Sequence, residues 1–132
     1  MQKVKWDSGI AIVDDERVII EFYRKVFEMM GIPVAFIAYD GEDAVKKFQE
    51  CSPRPQVMLM DYRMPIMDGL EAAKMIRSIE PDMKIIFVTA DSGAREEAMK
   101  VGAAAFLEKP VGLKDIVTQV EKVVKKDLAV TH

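Results

Sequence analysis

Val57-Met58-Leu59-Met60-Asp61 decides the fold: four apolar residues run without a break into a carboxylate. Pro55 lies just upstream, and Tyr62-Arg63 turn polar just downstream. A short continuous apolar run between breakers reads as a strand buried on both faces, unlike the alternating pattern of a half-wet sheet. A carboxylate at the end of such a strand sits where the backbone leaves the sheet. In open α/β sheets that carboxyl edge is where ligands bind. Asp61 is therefore either a loop cap or an active-site acid.

Working outward, the same pattern repeats. Ile10-Ala11-Ile12-Val13 is a short apolar run ending in Asp14-Asp15-Glu16. From Glu16 to Met30 the period changes: Val18, Phe22, Val26 and Met30 recur every fourth residue with Ile19 and Phe27 beside them, which predicts a helix with that face inward. Gly31 stops it. Val34–Ala38 reads as a second strand, and Asp40-Gly41 opens a helix through Ala44, Val45, Phe48 and Cys51, with Cys51 taken as a small core residue. After Asp61, Asp68 is placed to cap a helix with Leu70, Ala72, Ala73, Ile76 and Ile79 inward, ended by Pro81. Lys84–Val88 is a fourth strand running into Thr89, and a short helix follows through Ala94, Ala98, Met99 and Val101. Ala103–Leu107 is a short fifth strand ending in Glu108-Lys109-Pro110, and a last helix carries Leu113, Ile116, Val117, Val120, Val123 and Val124 on one side. Strands alternating with helices imply α/β architecture: a doubly wound parallel sheet of five strands, with five helices on its two faces.

Size and composition bound the function. The 132 residues, half of them hydrophobic, are enough for one domain with a real core. The expected arrangement is a single domain over 1–132, its core spanning about 8–126 with tails 1–7 and 127–132; no DNA-binding segment is expected after Lys125, and His132 falls in the tail. Trp6 reads as a lid on the sheet edge or part of a mobile tail. A net charge of -3 argues against a nucleic-acid or membrane surface, which needs a basic excess. A lone cysteine cannot form an intrachain disulfide, and no run is long enough to span a bilayer or to serve as a signal peptide. The expectation is a cytoplasmic protein with no nucleic-acid or membrane partner.

The strand ends carry the chemistry. The first strand delivers Asp14 and Asp15, the third Asp61, the fourth Thr89 and the fifth Lys109, and a parallel sheet brings all these ends to one edge. Singly, each has a bland reading: an Asp at a strand end is commonly a cap, a Lys before Pro a solvated loop residue. Together they are restrictive. Two carboxylates ~4 Å apart repel by about 4 kcal/mol at an effective dielectric of 20, so either a pKa rises or a cation binds. Oxygen ligands with room for water suit Mg2+, whereas a single His and a single Cys argue against zinc. Mg2+ in such a site commonly works with a phosphoryl group, and Lys109 and Thr89 supply an ammonium and a hydroxyl to meet its oxygens.

In these motifs the sequence resembles the response-regulator receiver domain family, of the stand-alone chemotaxis type. The resemblance rests on Val13-Asp14-Asp15-Glu16, on Met60-Asp61 followed by Met64-Pro65 and Met67-Asp68-Gly69, on Val88-Thr89-Ala90, and on Phe106-Leu107-Glu108-Lys109-Pro110; it covers about Ile10 to Lys125. It implies a flavodoxin-like strand order 2-1-3-4-5, for which a member of this family is a standard example. It further implies that Asp61 accepts a phosphoryl group from the phosphohistidine of a sensor histidine kinase or a histidine phosphotransfer protein. Asp15, Asp61 and the backbone carbonyl of Arg63 would hold Mg2+, with Asp14 acting mostly through water. Lys109 would bind one phosphoryl oxygen, Thr89 would swing in to another, and Phe106, where many members carry Tyr, would rotate inward behind it. The fourth helix, fifth strand and fifth helix would form the face read by a downstream protein target. The protein would be a monomer or weak homodimer that catalyses only its own phosphoryl transfer and dephosphorylation, a switch and not an enzyme acting on other substrates. Lys109-Pro110 is expected to be cis.

Arg63 and Asp91, each two residues beyond a site residue, carry opposite charges on adjacent strand ends and are expected to pair across the site's mouth. Three rival readings fit the same sheet. A flavin-binding protein would face its phosphate with Asp14-Asp15-Glu16, which repels it. An Asp-nucleophile phosphatase needs a second acid where Arg63 stands. A receiver-like interaction module that works without phosphorylation is the remaining alternative.

Overall fold

The computed structural model describes residues 4–130, with side chains described as far as residue 125. Its strands are β1 (Ile10–Val13), β2 (Val34–Ala38), β3 (Val57–Met60), β4 (Ile85–Thr89) and β5 (Ala105–Glu108); its helices are α1 (Arg17–Met29), α2 (Gly41–Glu50), α3 (Gly69–Ile79), α4 (Arg95–Val101) and α5 (Leu113–Val130). The strands pair in parallel in the order β2-β1-β3-β4-β5. The α/β sheet with order 2-1-3-4-5 is the expected one.

The continuous apolar runs are used as their pattern requires. Every residue of β1, β3 and β4 is buried. Alternate side chains feed two cores. Ala11, Val13, Met58, Met60, Ile85 and Phe87 face α2, α3 and α4, meeting Phe48, Ala73, Ile76 and Ala98. Ile10, Ile12, Leu59, Ile86 and Val88 face α1 and α5, meeting Ile20, Phe27, Ile116 and Val120. Helix starts follow local chemistry: Asp40 Oδ1 accepts from the Asp43 amide at 2.8 Å and Asp68 Oδ1 from the Glu71 amide at 2.9 Å, satisfying donors that the helix leaves unpaired.

Several expected details differ. The inward face of α1 is Ile20, Tyr23 and Phe27, whereas Val18 is 83% and Phe22 53% exposed, and Met29 and Met30 are exposed too. Cys51 is not core: it ends α2 half-buried, with its Sγ donating to the Pro53 carbonyl at 3.3 Å. Ile79 and Met99 lie on outer faces. β4 begins at Ile85 and β5 at Ala105, one and two residues later than expected, and α5 continues to Val130, past residue 127 where the tail was expected to begin. At the other end, Gln56 grips the chain before β1: its Oε1 accepts from the Asp7 and Gly9 amides at 2.9 and 3.0 Å, and its Nε2 donates to the Lys5 carbonyl at 3.0 Å. Trp6 packs against the α1/α5 core. His132 lies outside the described residues. Among the described residues no helix is long and apolar enough to cross a membrane.

Candidate functional site

Register fixes the site before any side chain acts. Val13 pairs with Met60 across β1 and β3, and the next residue on each strand is an acid. The Asp61 amide donates to the Val13 carbonyl at 3.0 Å and the Asp14 amide to the Ala38 carbonyl at 3.1 Å, so both backbones are held at the sheet edge. Thr89 pairs with Glu108 across β4 and β5, and the Lys109 amide donates to the Thr89 carbonyl at 2.8 Å. The Lys109-Pro110 peptide is cis.

Three polar residues are buried among those described: Asp14, Asp61 and Thr89. Lys109 explains how the two acids tolerate this. Its Nζ lies 3.0 Å from Asp14 Oδ2 and 3.4 Å from Asp61 Oδ2, with Glu16 Oε1 at 3.9 Å. Asp14 Oδ1 accepts from the Glu16 amide at 3.0 Å, and Asp61 Oδ1 from the Tyr62 amide at 2.8 Å. Asp14 thus serves both as the turn residue of the bland reading and as half of a buried ion pair. One carboxylate oxygen each from Asp14, Asp15 and Asp61 lies within 4.8 Å of the other two. This donor set, hard oxygens with Asp15 open to water, fits a cation such as Mg2+, which keeps several waters.

The charges shift the titrations. Burial, and next the charge of Asp14, push the Asp61 carboxyl above its ordinary value, and the Lys109 ammonium does not fully offset them. Burial pulls Lys109 down, but its bond to Asp14 and the charges of Asp14 and Asp61 outweigh that, leaving it above its ordinary value. The two partners move together because one ammonium serves two carboxylates: the lysine gains from both, while Asp61, besides being buried, shares its counter-ion and faces the charge of Asp14.

The cleft above is open, about 620 Å³, and its walls carry Asp15, Asp61, Arg63, Thr89, Asp91 and Lys109. The Thr89 hydroxyl accepts from the Asp91 amide at 3.2 Å. Arg63 does reach Asp91: Nη2 and Nε lie 2.7 and 3.0 Å from the same Oδ2. Behind Asp61 the backbone is close-packed. Gly69 donates its amide to the Tyr62 carbonyl at 2.7 Å, and a Cβ there would overlap the Asp61 carbonyl oxygen.

Thus Asp14, Asp15, Asp61, Arg63, Thr89 and Lys109 come together. Phe106 does not join the cleft. It is already buried, packed into the α2/α3/α4 core with the Arg95 guanidinium 4.8 Å from its ring centroid. Sequence reasoning missed that cover. It also missed Glu16 as a partner of Lys109, which adjacency to Asp15 could have suggested, and the Tyr62 amide, since backbone donors leave no sequence trace. Tyr23 was missed because the face of α1 was misread. Its phenol is buried near the site, held above its ordinary value first by burial, with the charges of Lys109, Asp14 and Asp61 also reaching it.

Known proteins resemble this chain in sequence and in fold. A family model described as the response regulator receiver domain matches residues 10–121. Chemotaxis protein CheY of Thermotoga maritima is 35% identical over 118 residues, covering 88% of this chain and 97% of that protein. Response regulator MprA of Mycobacterium ulcerans is 30% identical over 119 residues, which are 89% of this chain and 50% of that protein, so the chain spans about half the length of that relative. The structure of response regulator protein TrrA from Thermotoga maritima, in complex with Mg(2+)-BeF, matches with a TM-score of 0.75 at 32% identity, covering 86% of this chain and 96% of that one.

Proposed function

The chain belongs to the response regulator receiver domain family of two-component systems, and on that premise we propose that it is a phosphorylation switch with Asp61 as its phosphoacceptor. One observation carries the proposal: the Asp61 carboxylate is buried at an open cleft, beside Asp14 and Asp15 and 3.4 Å from the Lys109 ammonium. The donor is the phosphohistidine of a histidine kinase or a phosphotransfer protein. An Asp61 oxygen attacks phosphorus, the P–N bond breaks, and the imidazole, protonated on its other nitrogen, leaves neutral.

The residues divide the work. Asp15, Asp61 and the Arg63 carbonyl would hold Mg2+, with Asp14 acting mostly through water. Bound there, the ion offsets the repulsion between acidic cleft and anionic phosphoryl group. Lys109 pairs a carboxylate before transfer and a phosphoryl oxygen after it. The Thr89 hydroxyl leaves the Asp91 amide for another phosphoryl oxygen, drawing the loop before α4 with it, while the Phe106 ring is already packed inward behind it. The α4–β5–α5 face then reports the change to a protein target. We read the chain as a cytoplasmic monomer or weak homodimer that catalyses only its own phosphorylation and dephosphorylation.

The test is intact mass spectrometry after incubation with acetyl phosphate. A single phosphoryl adduct that requires Mg2+ and is absent from Asp61→Asn is expected. An unmodified wild-type protein, or an equal adduct on Asp61→Asn, overturns the reading.

A further inference from the structure

A second opening adjoins the acceptor cleft. It is a groove of about 450 Å³ between α1 and the segment after β5, with Ile19 and Phe22 on one wall and Pro110 and Val111 on the other. Ala90 and Lys109 border both openings, so the groove runs directly off the cleft that holds Asp61. Its walls are apolar, whereas the cleft is charged. Tyr23 interrupts them with one polar group. The residue is 8% exposed, and its hydroxyl has no hydrogen-bond partner among the described residues. No fully enclosed side-chain nitrogen or oxygen among those residues lacks a partner, so the phenol oxygen is open, and the groove that Tyr23 lines is where it opens. Packing fixes the ring, with centroids 6.2 Å from Phe22 and 6.3 Å from Phe27. A fixed donor with no partner, set in an apolar groove that leads away from an ammonium, fits a short apolar group that ends in an oxygen acceptor.

We propose that this groove is a leaving-group subsite for small acyl phosphates with an apolar chain: Ile19, Phe22 and Val111 take the chain, and the Tyr23 hydroxyl donates to the departing carboxylate. The inference rests on the reading of Asp61 as the acceptor and names the small-molecule donors that the site favours. An Asp61 oxygen bonds to phosphorus, the P–O bond to the acyl oxygen breaks, and the carboxylate leaves with the electron pair. No proton moves, because the Tyr23 hydroxyl stabilises the developing charge by a hydrogen bond alone. The phosphoryl group lies on the cleft side of Lys109 and the acyl chain on the groove side. An acetyl group leaves the apolar walls largely uncovered; a chain longer by two methylenes covers them. The bland alternative is a surface crevice beside an exposed aromatic side chain, with no preference among donors.

The test compares the rates of phosphorylation by acetyl phosphate and by butyryl phosphate, each with Mg2+ and followed by intact mass. The two leaving carboxylates are almost equally basic, so a rate ratio above one reports the groove. Wild type is expected to react roughly fourfold faster with butyryl phosphate at equal low concentration, the gain from burying about half of two methylene groups. Phe22→Ala, a change at a largely exposed position, is expected to bring that ratio toward one. Tyr23→Phe, which removes a single oxygen, is expected to slow both donors roughly fivefold, the scale of one hydrogen bond, and to keep the ratio. A wild-type ratio of one or less, an unchanged ratio in Phe22→Ala, or a wild-type rate in Tyr23→Phe overturns the subsite. A wild-type protein that takes no phosphoryl group from either donor defeats the acceptor reading instead, and the groove is then judged by binding. The phosphonate in which a methylene replaces the bridging oxygen of butyryl phosphate is expected, with Mg2+, to shift the ring resonances of Phe22 and Tyr23, and unshifted rings contradict the subsite.

Discussion

Lys109 Nζ lies 3.4 Å from Asp61 Oδ2 although 48 residues separate the two in sequence. The same ammonium bonds Asp14, so one cation is shared between two buried acids and offsets part of their mutual repulsion. Its removal is the sharpest perturbation of the resting site.

Lys109→Ala is expected to destabilise the protein by about 3 kcal/mol at neutral pH without added metal, the scale of a buried pair that loses one partner. Urea denaturation measures it. Excess Mg2+ is expected to restore part of the loss, since a divalent ion replaces the missing charge. The pH dependence has a definite sign. Because the folded state holds the Lys109 proton more tightly than its ordinary value of 10.5 implies, its contribution is complete below that value and disappears as pH climbs past it. Equal stability of the two proteins at neutral pH would contradict the geometry.

Asp61→Asn is expected to stabilise the metal-free protein at neutral pH. The Asp61 carboxyl titrates above its ordinary value of 3.8 in the folded state, so folding favours its protonated form. Its ionisation costs stability as pH rises from that ordinary value through the raised one. The advantage of Asn is therefore present at neutral pH and vanishes in acid. Thermal melting across that range checks it, and a variant less stable than wild type at neutral pH would show that the Lys109 bond outweighs burial and the Asp14 charge.

Phe22→Ala is expected to cost well under 1 kcal/mol, because Phe22 is largely exposed. Phe27→Ala, at a fully buried position of the same helix, is expected to cost about 3 kcal/mol or more. Chemical denaturation of the two variants separates the observed α1 face from the one the sequence suggests; comparable losses would mean that Phe22 is core.

That misreading has a geometric cause. With 3.6 residues per turn, steps of four advance about 40° each, so Val18, Phe22, Val26 and Met30 spiral off any single face. Ile20, Tyr23 and Phe27, spaced three and then four, stay on one stripe. The strands were legible because a fully apolar run has no face to misassign, and Asp14, Asp15, Asp61, Thr89 and Lys109 were legible because parallel strands share a carboxyl edge. The strand order came from family resemblance, since local pattern does not encode which runs pair. Arg63 and Asp91 were found from charge and strand position. The covering of Phe106 by Arg95 and the amide of Tyr62 had no such signal: the first depends on how α4 packs on β5, the second on backbone direction.

The most direct measurement is to locate the phosphoryl group. Borohydride reduces an acyl phosphate at aspartate to homoserine, so protein loaded with acetyl phosphate and Mg2+, reduced and digested, marks its acceptor in the peptide map. The account predicts conversion at Asp61, with Asp14 and Asp15 unchanged. Conversion at another carboxylate, or none at any in protein that carries the adduct, would contradict it.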